Sequence, residues 1–385
     1  MKAPAIALVL LASANAFNAA SCPPPTRPGD PLPGLSAEER ERFEKGREVF
    51  ERAFTPETGL GPLFNADACG ECHEQLVAGG GGDETELHVA VRRADVCDLL
   101  VEQGGFVIQQ HATPALQRAL GIESEPIPSE ATAHAARRSA SVLGFGLLDA
   151  VPDAEILARA DPDDRNRDGI SGRPNRFLDG RLGRFGRKAF VPNLREFNLG
   201  AFVIEMGITN PAVPTEESIG GRPIPDGVDP VSDPEISEDE ALLANDFVRF
   251  LAPPAAEALD AEGERGRLIF GTIGCAGCHV PTLVTGNSPV AALRYRPVAA
   301  YTDLLLHDMG SERGDICLGL ASPSEFRTAP LMGLRLEEAF LHDGKARTVE
   351  EAIELHAGEA RATRERFRHL SPVRRAALLR FLAAL

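Results

Sequence analysis

The sequence predicts a mainly α fold made of two similar units, the first interrupted by an irregular insertion. Three observations predict it. Cys69-Gly70-Glu71-Cys72-His73 and Cys275-Ala276-Gly277-Cys278-His279 repeat one C-x-x-C-H pentapeptide. Each has the same kind of lead-in, Gly46-Arg47-Glu48-Val49-Phe50 and Gly266-Arg267-Leu268-Ile269-Phe270. Each unit also closes on a capped apolar helix, one from Ser237 to Leu251 and one from Ser371 to Leu382. Two thiols at this spacing on one helical turn can each add across a haem vinyl group while the next imidazole reaches the iron, so each pentapeptide reads as a covalent c-type haem anchor. A thioredoxin-like dithiol or half a zinc site would leave both histidines and the duplicated lead-in unexplained. The units are therefore read as two c-type cytochrome domains.

The chain in order supports this division. Residues 1–21 read as a secretory signal peptide: Lys2, then the apolar run Ala5 to Ala12, then small residues. Cleavage falls either at Ala14 to Ala16 or just before Cys22, where Ala20-Ser21-Cys22 resembles the end of a lipobox. Cys22 is then either a lipid anchor or an ordinary residue of the mature terminus. Both readings place the chain in the periplasm or cell envelope, the second as an outer-membrane lipoprotein when Cys22 is lipidated. Residues 22–35 form a proline-rich linker.

The first domain, 36–255, opens at Ser36, an N-cap with Glu39 three residues on, and runs as a helix from Glu38 to Phe54. Its closing helix has the same box at Ser237 and Glu240 and stops at Pro253-Pro254. An insertion over 158–235, rich in Gly, Pro, Asp and Arg, is expected to be irregular with at most short strands. The second domain, 256–385, ends in a helix with Pro372 at its first position. Arg138 to Gly144 and Arg327 to Gly333 form a third shared segment.

Composition limits the function. A formal net charge of -17, from 57 acids against 40 bases, disfavours nucleic acid as a partner and suits a basic redox protein. Four of the seven cysteines belong to the haem motifs; beyond Cys22, Cys97 and Cys317 are either a disulfide or two buried thiols.

The sixth iron ligand decides what such a protein does: filled by Met or His the iron passes electrons, left open it binds small molecules. For the second haem His356, on an amphipathic helix that breaks at Gly358, is the first candidate, with Met309 and His342 competing. For the first haem the choices are His88, Met206 or no ligand. Glu155 and Asp149 are candidate catalytic acids for peroxide cleavage at an open first site. Asp164, Asn166 and Asp168 precede Gly169 in a D-x-N-x-D-G pattern, which is either a Ca2+-stapled loop or an Asp-rich turn.

Several further motifs fall in order along the chain. They are Gly61-Pro62-Leu63-Phe64-Asn65, Leu147 to Pro152, Asp168 to Gly172, Gly183-Arg184-Phe185-Gly186, Met206 to Asn210, Asp303 to Gly310, Phe326 to Leu331 and Leu341 to Ala346. With the two haem motifs they make residues 36–385 resemble the bacterial di-haem oxidoreductase family, related to the di-haem cytochrome c peroxidases. The resemblance implies peroxidase-like redox catalysis: hydrogen peroxide at the first haem, and electrons reaching it through the second from a small redox protein or a quinol-linked donor. It also implies an axial ligand in the helix after Leu341-His342-Asp343-Gly344, the position His356 holds. The tryptophan relay expected between such haems has no counterpart, because the chain has no Trp. Two other functions fit the same anchors: a pure electron-transfer cytochrome, and a haem-based sensor or binding protein.

Overall fold

The computed structural model describes residues 26–385 apart from 94, 95 and 217. The signal peptide and Cys22 lie outside the described residues.

Two helix crossings organise the chain. The entry helix Ala37–Glu51 starts with both halves of a capping box: the Ser36 hydroxyl accepts from the Glu39 amide, and the Glu39 carboxylate accepts from the Ser36 amide. It crosses the closing helix Glu238–Phe250 at Gly46, where any side chain would run into the Leu243 carbonyl. Phe247 then packs on Phe43 and Phe50, with ring centroids 5.1 and 4.9 Å apart. The second pair repeats this plan. Helix Ala261–Ile273 crosses helix Pro372–Leu382 at Gly266, which lies against the Ala377 carbonyl, and Phe270 meets Phe381 at 5.4 Å. Glycine is required at both crossings because the backbones themselves touch.

The third shared segment is also duplicated in space. Strands Ala133–Arg138 and Glu325–Arg327 each end at the shared arginine. Each segment then runs to a left-handed glycine, Gly144 with φ 78° and Gly333 with φ 80°, that starts the next helical turn. A side chain at Gly144 would press on Pro253, and one at Gly333 on Pro254. The two units therefore meet at this proline pair. One hydrophobic cluster joins Phe43, Phe50 and Phe247 to Leu283, Leu293 and Leu305, so a continuous core runs through both halves.

Three expectations are corrected. The fold is mixed rather than mainly α. Thr85–Arg93 is a nine-residue strand at the centre of a sheet, and it pairs antiparallel with Val96–Asp98, Val107–Ile108 and Ala133–Arg138. Val89 and Val91 are buried in it, as β-branched residues at alternate positions require. The insertion is not wholly irregular, since Leu194–Met206 is a helix capped by the Asn193 side chain and buries Leu199, Phe202 and Val203. The described part of the proline-rich stretch packs on the body: Leu32 and Leu35 are buried, and the Leu32 amide donates to the Phe250 carbonyl at 2.7 Å.

Cys97 and Cys317 are disulfide-bonded across 220 residues of sequence. Nearby, Asp315 is buried between Arg137 (2.8 Å) and Lys188 (2.9 Å). Among the described residues no helix is long and apolar enough to cross a membrane.

Candidate haem sites

Both pentapeptides fold as a single turn that brings two thiols and an imidazole together. Cys69–Cys72 is one helical turn and the His73 amide donates to the Cys69 carbonyl. In the second copy Gly274, in the left-handed region, ends the entry helix, Cys275–Gly277 makes the turn, and the His279 amide donates to Cys275. Burial pushes the Cys69, Cys72 and Cys275 thiols up to about 12, away from the thiolate range of a reactive dithiol.

The histidines are aimed alike. His73 Nδ1 donates to the Gly80 carbonyl at 3.1 Å and His279 Nδ1 to the Tyr301 carbonyl at 3.0 Å. A carbonyl on Nδ1 fixes the tautomer and leaves Nε2 as the free electron-pair donor, the arrangement found behind metal-bound imidazoles. Phe50 stands 6.1 Å from His73, and Phe270 stands 6.5 Å from His279.

His356 is fixed in the same way. It follows helix Val349–Glu354, which is capped by a Thr348/Glu351 box, and its Nδ1 donates to the Ala352 carbonyl at 2.7 Å. Its ring centroid is 6.4 Å from that of His279. Two metal–imidazole bonds of about 2 Å and two ring radii of roughly 1.1 Å span about 6.2 Å, so the pair has the spacing to take one iron between them. Burial keeps both imidazoles neutral, His279 lowered to about 4, as ligation requires. A cavity of about 290 Å³ opens beside them, walled by Phe270, Leu331 and Ile353. Thiols, two oriented imidazoles and an adjoining apolar cavity together fit a haem.

A family model described as "Di-haem oxidoreductase, putative peroxidase" matches residues 127–385. The chain belongs to the di-haem oxidoreductase family. The match takes in Cys275 to His279, and membership implies haem cofactors. Solved structures similar to the chain include the diheme peroxidase BthA from Burkholderia thailandensis, 16% identical over 90% of this chain and 86% of that one, with a TM-score of 0.42. A MauG-like protein associated with microbial copper homeostasis is 17% identical over 95% and 94%, with a TM-score of 0.41. The hydrazine synthase of Kuenenia stuttgartiensis is 14% identical over 100% of both chains, with a TM-score of 0.39. No curated protein matches.

The other candidates take varied places. Met309 shares the cavity wall with His279 and His356. His342 also lines it, stacked on Phe326 at 4.2 Å, and burial lowers it to about 4. Met206 is core filling, packed with Phe54, Leu60 and Phe202. His88 is buried on the central strand, its Nε2 on Glu86 at 2.9 Å and its Nδ1 without a hydrogen bond. Burial and the nearby Arg137 charge keep His88 neutral, so this contact is a hydrogen bond rather than an ion pair.

Asp149 and Glu155 are engaged in structure. Asp149 accepts from the Leu194 amide at 3.0 Å, at the start of helix Leu194–Met206, and Glu155 pairs with Arg159. In the Asp164 loop the oxygens accept from backbone amides: Asp164 from Gly169, Asn166 from Asp168, and Asp168 from Ile170.

Sequence reasoning missed the acids around the first motif. Glu86 and Glu205 both act electrostatically on Cys72, and Glu86 also acts on His73. Burial would raise the Glu86 carboxyl, but the hydrogen bond from His88 and the charge of Arg137 hold it below the usual range. Also missed was His307, buried beside Cys278, with Nδ1 on Glu359 and Nε2 on Asp303, both at 2.8 Å. Burial alone would lower it, but the two carboxylates raise it to about 12 and hold it as an imidazolium. Alternation along Thr85–Arg93 puts Glu86 and His88 on one face and was the available signal; His307 had none.

Proposed function

We propose that this chain is an exported di-haem c-type cytochrome of the peroxidase-like oxidoreductase kind. The single observation that carries the reading is the difference between the two histidine environments. His279 faces a second imidazole, His356, at 6.4 Å, whereas among the described residues no second imidazole stands beside His73; the Phe rings, Phe50 by His73 and Phe270 by His279, are alike in the two units. Cys69, Cys72 and His73 would hold the first haem, and Cys275, Cys278, His279 and His356 would hold the second. Haem supplies one-electron redox chemistry and, where its sixth position is free, a place for peroxide.

The chain's own residues divide the remaining work. The Gly80 and Tyr301 carbonyls orient the two proximal imidazoles. Glu86 joins Asp149 and Glu155 as a proposed acid–base group, because it acts electrostatically on Cys72 and His73 and its partner His88 holds a proton at Nε2. Reduction of hydrogen peroxide to two waters consumes two electrons and two protons. A small redox protein or quinol-linked donor would supply the electrons, with the C-terminal site receiving them and the N-terminal site as the place of reaction. A disulfide between Cys97 and Cys317 supports an oxidising compartment, the periplasm or cell envelope.

Steady-state oxidation of a reduced small cytochrome by hydrogen peroxide tests the reading. Turnover is expected, and Glu86→Gln is expected to lower kcat/KM by about 10²-fold or more, the range of a lost acid–base group. A holoprotein that carries both haems and shows no turnover would overturn the peroxidase reading and leave electron transfer or ligand sensing.

A further inference from the structure

The haem cavity contains more positive charge than its own acids neutralise. Of the arginines lining it, Arg138 pairs with Glu337 at 3.5 Å, Arg313 with Asp343 at 3.7 Å and Arg364 with Glu365 at 3.2 Å. Arg187 and Arg327 also line it, and among the described residues neither has a carboxylate within ion-pair distance. Arg327 is only 8% exposed; its Nη1 donates to the Arg184 carbonyl, and its Nε has no partner. Burial and the like charge of Arg187 lower the Arg327 guanidinium to about 9. Arg187 donates to the Arg138 carbonyl at 2.6 Å and is desolvated as well. Arg327 is buried without a counter-ion, and half-buried Arg187, whose carbonyl accepts from the Arg327 amide at 2.9 Å, feels Glu337 and Glu86 only from beyond ion-pair distance, so the pair calls for an anion that the polypeptide does not place against it.

We propose that Arg327 and Arg187 are an anion clamp for the two carboxylate arms of the porphyrin bound at Cys275 to His279. Two cations meet two propionates, in a cavity that also holds the thiols and both imidazoles. Guanidinium suits this role because its fork matches a carboxylate in geometry and stays charged. The duplicated segment marks the asymmetry: Arg138, the counterpart of Arg327, turns to Glu337 and Gln75 instead. Arg187 also acts electrostatically on His73. The inference rests on haem being attached at Cys275 to His279.

Potentiometric titration of the holoprotein tests it, after haem per chain is counted by pyridine haemochrome. Removing a cation beside a haem favours the ferric state. Arg327→Gln is expected to lower the midpoint of the low-spin C-terminal haem by at least a tenfold change in the reduction equilibrium, about 59 mV for one electron, and to leave the other haem in place. Arg327→Lys, which keeps the charge, should recover most of that shift, and Arg187→Gln should lower both midpoints. An unchanged midpoint in either Gln variant with both haems present overturns the clamp. Equal shifts in Arg327→Gln and Arg327→Lys overturn it too, since packing alone would then explain them. Where Arg327→Gln does not fold, Arg187→Gln decides by the same criterion. Absence of haem at Cys275 to His279 in the unmodified protein overturns the attachment itself, a result distinct from both.

Discussion

Alanine at Gly266 and alanine at Gly271 should move stability in opposite directions, although both lie on helix Ala261–Ile273. Gly271 faces open space, with nothing near the position its Cβ would take. Replacing glycine by alanine in a helix interior stabilises it by up to about 1 kcal/mol, so G271A should raise Tm by roughly 2–4 °C. Gly266 gains the same propensity, but its new methyl meets the Ala377 carbonyl, and Phe381 Cβ at 2.7 Å. Overpacking of this kind costs about 1–3 kcal/mol, so the net effect of G266A is a loss of up to about 2 kcal/mol. G266V adds two further methyls and should lose more, roughly 2–4 kcal/mol. Thermal melts by far-ultraviolet circular dichroism measure the loss. The Soret band should fall earlier in the same melts, because this crossing seats Phe270 behind His279. A G266A protein stabilised as much as G271A would refute the close crossing.

Further outcomes follow from the buried charges and the cross-link. Asp315→Asn leaves Arg137 and Lys188 buried without their anion and should cost about 3–5 kcal/mol in urea denaturation. The Asp315 carboxyl is buried, which would raise it, but the two cations hold it below 3.8. Its contribution is therefore present above that value and should be lost as pH falls through the lower folded value, visible as a steep acid limb in wild type that Asp315→Asn lacks. Glu216 behaves oppositely: burial and neighbouring carboxylates raise it to about 8, so its contribution is lost as pH rises from 4.5 through 8. Glu216→Gln should gain on wild type at pH 8 and show little difference at pH 5. Cys317→Ala opens a 220-residue loop and should lower stability by up to about 5 kcal/mol, compared by melts with and without reductant. The Asp164 loop is closed by its own amides, so a chelator should leave the melt unchanged, and a shift on adding calcium would contradict that.

Local signals carried the parts of this fold that the sequence made legible. Ser36 with Glu39 is a complete capping box, and Ser237 accepts from the Glu240 amide. Ser371 precedes its helix without a side-chain bond, Pro372 supplying the start instead. Both C-x-x-C-H turns, and Gly144 with Gly333, also stand where the repeat places them. Where the reading failed, composition averaged over a short signal or the contact was distant in sequence. Glycine and proline around helix Leu194–Met206 hid its thirteen residues, and alternation in Thr85–Arg93 was passed over beside the Gly79 to Gly82 run. Glu86 acts electrostatically on His73, and the Arg327 amide donates to the Arg187 carbonyl at 2.9 Å. Spacing cannot report either. The break after helix Val349–Glu354 was legible, and it sets His356 opposite His279.

Low-temperature EPR of the holoprotein, before and after cyanide, tests the division between the two haems most directly. One low-spin signal should ignore cyanide and disappear in His356→Ala, while a second, high-spin signal should convert on adding it. Two low-spin signals that both ignore cyanide, or a low-spin signal untouched in His356→Ala, would contradict it.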